Sequence, residues 1–201
     1  IQALHLPDQF TYRSNCSNLS AGVNFLKAFE VCRTKWVMIV GDDDTFDEFS
    51  AKAISKLLAH ISDNIAAVKF DSALYGSQQN NIVSNLLEYT SKVSPREYPL
   101  AFNNLCLVSN WIFRADVYRL HLREAYLGYS TKISHLLPVL NACSKLQYKI
   151  LFSDLKPIIH GTSNESWPKA PTWFEMSISI STFSGFLDSL NKKALKKFIF
   201  H

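Results

Sequence analysis

The feature that most constrains this chain is an apolar run at 35–40, Lys35-Trp36-Val37-Met38-Ile39-Val40, that leads straight into Gly41-Asp42-Asp43-Asp44-Thr45. A short run rich in β-formers, without polar alternation, reads as a strand buried on both faces, as in a parallel sheet. Three successive carboxylates at its end disfavour one another's ionisation. At the carboxyl end of a strand in an α/β sheet they occupy the usual ligand crevice. A divalent cation relieves their repulsion, and carboxylate oxygens suit hard ions such as Mg2+, Mn2+ or Ca2+. The competing account is an acidic surface turn whose aspartates cap the next helix.

The flanking segments supply the rest of an α/β pattern. Ser20 stands as an N-cap before Val23, Phe25, Leu26, Ala28, Phe29 and Cys32, which recur at helical spacing. Asp47 caps a second helix with the apolar face Ala51, Ile54, Leu57, Leu58 and Ile61, and 66–70 reads as a second strand. The first 71 residues are therefore helix, strand, acidic turn, helix, strand. Further on, 82–89 reads as helix, and the prolines at 95 and 99 break the chain. A strand is expected at 105–108 and a helix at 113–122. Ser134 caps a helix running to about residue 145, with Pro138 in its first turn, where the missing N–H does little harm. A strand at 148–152 and a long helix at 171–190 precede a basic tail.

Composition bounds the function classes. With 201 residues, 47% apolar and 19% charged, the chain has the balance of one globular domain with a small appendage. Lys plus Arg number 21 and Asp plus Glu 17, a net charge of +4, and the lysines cluster only at Lys192, Lys193, Lys196 and Lys197. That is no nucleic-acid footprint, which needs a basic face. No apolar run approaches the 18 or more residues of a membrane span. The four cysteines, Cys16, Cys32, Cys106 and Cys143, form no CxxC pair, and small buried thiols fit a reducing, cytoplasmic compartment. The tail, whose lysine pairs alternate with apolar residues, reads either as a terminal helix packed on the domain or as a surface helix on an anionic membrane, here the inner membrane face.

The run from Asn18 to Phe46 resembles the family-2-like glycosyltransferases with the GT-A fold. In that family a helix with an N-x-x-x-A-like pattern, matched by Asn24 and Ala28, precedes a strand ending in a DxD motif, matched by Asp42-Asp43-Asp44. A looser likeness extends through Asn110-Trp111-Ile112-Phe113-Arg114 to His160. The resemblance implies a mixed, mostly parallel GT-A-like sheet flanked by helices over 1–165, and a C-terminal helical segment with a basic tail over 166–201. It implies a metal-dependent transferase that moves a sugar from a nucleoside-diphosphate donor to a glycan or lipid-linked acceptor, as in surface polysaccharide synthesis. The family's opening β–α–β unit, which holds the base, has no match before Asn18, so an N-terminal truncation is expected.

By the same resemblance Asp42 contacts the nucleoside ribose, with Asp43 assisting, and Asp44 ligates a Mn2+ or Mg2+ ion on the diphosphate. His160 completes the metal or diphosphate site, and Trp111 and Arg114 wall the acceptor pocket. The family's catalytic acid, at the start of a downstream helix, falls in Thr131–Pro138, which carries no carboxylate. His135 stands in its place and can act as general base, since its unperturbed pKa is about 6.5; Glu124 is the nearest acidic alternative. Two other functions remain open on the residues: a non-catalytic sugar- or partner-binding module, and a haloacid dehalogenase-type phosphotransferase. The latter wants D-x-D-x-T, whereas Thr45 here directly follows the third aspartate.

Overall fold

In the computed structural model, helix α1 (Ala21–Val31) turns Leu26 and Phe29 into the interior and is followed by strand β1 (Trp36–Met38). The structure describes residues 14–17, 19, 21–41, 44–46, 48–72, 80–131, 133–159, 161 and 180–200. Along the chain come β2 (Thr45–Phe46), α2 (Glu48–His60), β3 (Ile65–Phe70), β4 (Asn81–Val83), α3 (Leu86–Ser91) and α4 (Tyr98–Cys106). Next are β5 (Trp111–Arg114), α5 (Ala115–Arg119), α6 (Leu122–Leu127), α7 (Leu136–Leu146), β6 (Lys149–Ser153) and β7 (Ile158–Ile159). Residues 180–185 are helical, and α8 (Ser189–Phe200) closes the described chain.

The main sheet has the order β1-β5-β3-β6-β4. It is mixed, as expected, but mostly antiparallel, which corrects the expectation of mostly parallel pairing. Only β3 and β6 pair in parallel; β1 with β5, β5 with β3, and β4 with β6 are antiparallel. The alternation of helices and strands suggested parallel crossovers. Instead β5 runs back between β1 and β3, entered from the short 3-10 turn Val108–Asn110 after α4. Strands β1, β3 and β6 nevertheless point the same way, so their carboxyl ends share one end of the sheet.

Two cores follow from the period-2 alternation of strand side chains. Val37, Ile39, Ala67 and Phe113 face a large core under α1, α3, α4, α5, α7 and α8; Trp36, Met38, Val68 and Ile112 face a small core under α2. Strand β3 is buried at all six residues, as a central strand must be. Strand β1 is only half-buried, because it stands at the sheet edge among the described residues.

Several local expectations shift for identifiable reasons. The expected helix at 82–89 is β4 followed by α3, whose start is fixed by Asn85. The Asn85 Oδ1 accepts from Glu88 N–H at 2.9 Å while the Glu88 carboxylate accepts from Ser84 N–H at 2.7 Å, a reciprocal cap. Pro95 and Pro99 open helical turns instead of ending them. Helix α4 therefore occupies part of the expected 105–108 strand, and the true strand is β5. The expected helix at 171–190 falls partly outside the described residues; within them, α8 starts anew where Asp188 Oδ1 accepts from Asn191 N–H at 2.8 Å. Its apolar residues Ala194, Leu195 and Phe198 are buried in the large core, so the tail packs on the domain. No described helix is long and apolar enough to cross a membrane.

Candidate functional site

The acidic segment leaves β1 at the shared carboxyl end of the sheet. Gly41 N–H donates to Ser109 Oγ at 3.1 Å, tying the turn to the 3-10 segment before β5, and Asp44 N–H closes the turn onto Gly41 O at 3.2 Å. Asp44 is half-buried. Strand β2 then pairs antiparallel with β7: Thr45 opposes Ile159 and Phe46 opposes Ile158. The Thr45 hydroxyl donates to Ile159 O at 3.3 Å. In the sequence Asp44 precedes the first of these strands and His160 follows the second. Asp42, Asp43 and His160 themselves lie outside the described residues. Among the described residues no group of three or more His, Cys, Asp and Glu is placed to hold a metal ion.

The other expected site residues lie elsewhere. Trp111 is fully buried; its indole N–H donates to Leu105 O at 3.0 Å and its ring stacks on Phe113. It is a core residue and offers no wall to an acceptor. Arg114 pairs with Trp36, the first residue of β1, which puts it at the opposite end of the sheet from the acidic turn. Its guanidinium binds the Asp116 carboxylate at 3.0 Å and Asp63 O, so it links β5 to its surroundings and does not flank the aspartates.

His135 does sit at the N-cap of α7, as the base was expected to, yet it is 3% exposed. Its Nε2 lies 3.2 Å from Leu105 O, and the ring packs edge-on to Trp111 and Phe113. Burial depresses its pKa to about 4. The ring is thus neutral but enclosed, and no acceptor hydroxyl reaches it in this conformation. Glu124 is engaged by Lys145 at 3.5 Å, in the last turn of α7 just before β6 begins, again away from the acidic turn.

The shared carboxyl end holds groups that the sequence reading did not single out. Lys69, inside β3, is fully buried: its ammonium donates to Asn104 Oδ1 at 2.8 Å and to Phe70 O at 2.5 Å, and lies 5.7 Å from the Trp111 ring centre. Burial pushes its pKa well below the usual lysine range, opposed by the Asp71 charge. The same burial drives the nearby Cys106 thiol up to about 12. Asp71 follows β3 directly, with a side chain shielded from solvent and Lys156 Nζ 3.3 Å from its Oδ2. A signal was present, since Lys69 and Asp71 are charges in and just after an apolar strand, a pattern costly enough to need a reason.

A comparison with known proteins finds no matching protein-family model and no matching curated protein.

Proposed function

We propose that this chain carries the catalytic core of a metal-dependent glycosyltransferase, which moves a sugar from a nucleoside-diphosphate donor to a glycan or lipid-linked acceptor. The observation that carries this reading is the β2–β7 pairing. It joins the segment just after the three aspartates to the segment just before His160, two stretches far apart in sequence, at the carboxyl end of the parallel-running strands. Ligands of open α/β sheets bind at that end.

In this proposal Asp44 and His160 hold the ion, Asp42 receives the ribose, and Asp43 assists. Oxygen and imidazole donors together fit Mn2+ better than Mg2+. The bound ion would neutralise charge developing on the departing diphosphate. The protein's own part is to fix the donors: the Gly41–Ser109 bond and the β2–β7 pair hold the turn on both sides.

Thermal denaturation with nucleoside diphosphates, with and without Mn2+, tests this. A ligand at about 100 times its Kd adds roughly 2.7 kcal/mol to stability. Asp44→Asn is expected to abolish the metal-dependent part while leaving the ligand-free melting temperature close to wild type. Unchanged metal dependence in that variant would remove Asp44 from the site.

The enclosure of His135 favours a second reading, a non-catalytic module that binds a nucleotide sugar. It predicts nucleotide-sugar binding without transfer to any acceptor and without hydrolysis of the donor.

A further inference from the structure

The two faces of the main sheet are covered unequally. Helices α1, α3, α4, α5, α7 and α8 pack on the large-core face, whereas among the described residues α2 alone packs on the other. The buried residues of the smaller core come from α2, β3 and β5. Strands β6 and β4 lie beyond them in the sheet and turn the opposed pair Leu151 and Ile82 toward this face. Leu151 is half-buried and Ile82 is 48% exposed.

Between α2 and this pair runs a groove of about 640 Å3. Helix α2 forms one wall with Ala53, Lys56, Leu57 and His60. Their spacing of i, i+3, i+4 and i+7 makes one helical stripe. Ile54, which anchors α2 in the small core, stands beside that stripe and is buried. Sheets of α/β folds are normally covered on both faces, so the apolar β6–β4 surface is the place where this fold leaves a layer unfinished.

The groove carries charge of one sign. Lys56 and His60 stand on its α2 rim, and no acidic side chain lines it. The His60 ring is held there by its Nδ1, 2.9 Å from Lys56 O. Lys149, two residues before Leu151 on β6, projects on the same face of the sheet. Lys52, one turn before Lys56, is paired with Glu48 at 2.6 Å, whereas Lys56 has no carboxylate partner among the described residues.

These dimensions and this sign select the occupant. Neighbouring strands are about 4.8 Å apart and a helix with its side chains is about 10 Å across, so one helix covers the β6–β4 pair. The stripe from Ala53 to His60 rises about 10 Å, enough to guide two turns of a second helix. A second copy of this chain would bring the same patch to a twofold contact, cation facing cation. An acyl chain would be left open along the Ile82 side, whereas small-ligand sites enclose about 70–90% of the ligand surface.

We propose that this groove docks an amphipathic helix of an acidic partner protein. The apolar face of that helix lies on Leu57, Leu151 and Ile82, and its acidic flank meets Lys56 and His60, a helix-in-groove mode of recognition. The inference is independent of the transferase reading.

Two fluorescent peptides test it on the full chain, each of about 15 residues so that an isolated helix is populated. Both carry one face of leucines; one peptide has glutamates on the flanks and the other lysines. The glutamate peptide is expected to bind saturably, about tenfold or more tighter than the lysine peptide at low salt. It should shift the backbone amide signals of Ala53, Leu57, Ile82 and Leu151. Lys56→Glu should reverse the preference, and Ile82→Ser should weaken the glutamate peptide about threefold or more through lost apolar contact. Both positions are exposed, so both variants should melt with wild type. Lys193→Glu on α8, the same change in net charge, should leave the preference intact. Equal binding of the two peptides, a preference that survives Lys56→Glu or disappears equally in Lys193→Glu, or signal shifts confined to other surfaces overturns the proposal. Failure of the glutamate peptide to saturate by about 1 mM does the same. Two rival occupants are read alongside. Dodecanoate that moves the same signals at lower concentration than the glutamate peptide assigns the groove to an acyl chain. A dimer in sedimentation equilibrium that Ile82→Ser disrupts assigns it to a second copy. Either result overturns the partner helix.

Discussion

Lys69 and His135 occupy one interior region and meet burial in the same way: each favours its neutral form. Water stabilises an ion far better than a packed core does, so burial lowers the pKa of a cationic acid. For His135 the consequence is measurable. The ring titrates near 6.5 when unfolded and at about 4 in the fold. Between those values the unfolded chain holds the extra proton, so stability is full above about pH 6.5 and falls as the pH drops toward about 4. The span is worth up to about 3 kcal/mol. Urea unfolding between pH 7 and pH 4.5 should show this loss in wild type and a flatter profile in His135→Gln. Equal slopes would mean that His135 is not held neutral by burial. At this scale the sequence was partly legible. His135 was placed correctly at a helix start, but its enclosure depends on Leu105, Trp111 and Phe113, and no local pattern announces those neighbours.

Helix α8 shows how an element that looks solvated becomes structural. Asn191 Oδ1 accepts from Leu86 N–H at 3.0 Å, which satisfies an orphan donor at the start of α3. Phe198 packs among Tyr89, Tyr98 and Phe102, with ring centres 6.1, 5.6 and 5.7 Å away. Phe198→Ala is expected to cost about 3–5 kcal/mol, and Asn191→Ala about 1–3 kcal/mol through the donor left unmet. Lys193→Ala, on the exposed face, should stay within about 0.5 kcal/mol of wild type. Urea denaturation compares the three, and near-wild-type stability in Phe198→Ala would show that α8 does not belong to the core. The helices α1 and α2 were legible because each carries a 3.6-residue apolar stripe over several turns, and α7 because Ser134 and Pro138 mark its beginning. The strands were less so. β2 and β7 have two residues each, too few for any periodicity, and they exist through their pairing with each other. The direction of β5 was unreadable for a related reason: WIFR is apolar whichever way it runs.

Over the whole molecule, the net charge of +4 is unevenly placed. Lys192, Lys193 and Lys196 lie exposed on α8, whose apolar side is already occupied by the core. Any contact of this face with an anionic bilayer is then electrostatic, about 1 kcal/mol per lysine near the surface. Cosedimentation with phosphatidylserine vesicles is expected at low ionic strength and should vanish near 0.5 M salt, where the Debye length is roughly 4 Å. Binding to neutral vesicles would contradict this picture, since it requires apolar insertion. The order of the strands has a further consequence, for synthesis. β3 has no sheet neighbour until β5 and β6, ending at Arg114 and Ser153, have left the ribosome. At 5–20 residues per second, the delay between Phe70 and Ser153 is roughly 4–17 s. Until Arg114 emerges both edges of β3 are open, and until Ser153 emerges one still is, so β3 is for that time an apolar segment of the kind that pairs with other nascent chains. Lys69, charged while still in water, interrupts its apolar run as a gatekeeper residue does. The lysine whose charge is costly to bury in the finished sheet protects the unfinished one.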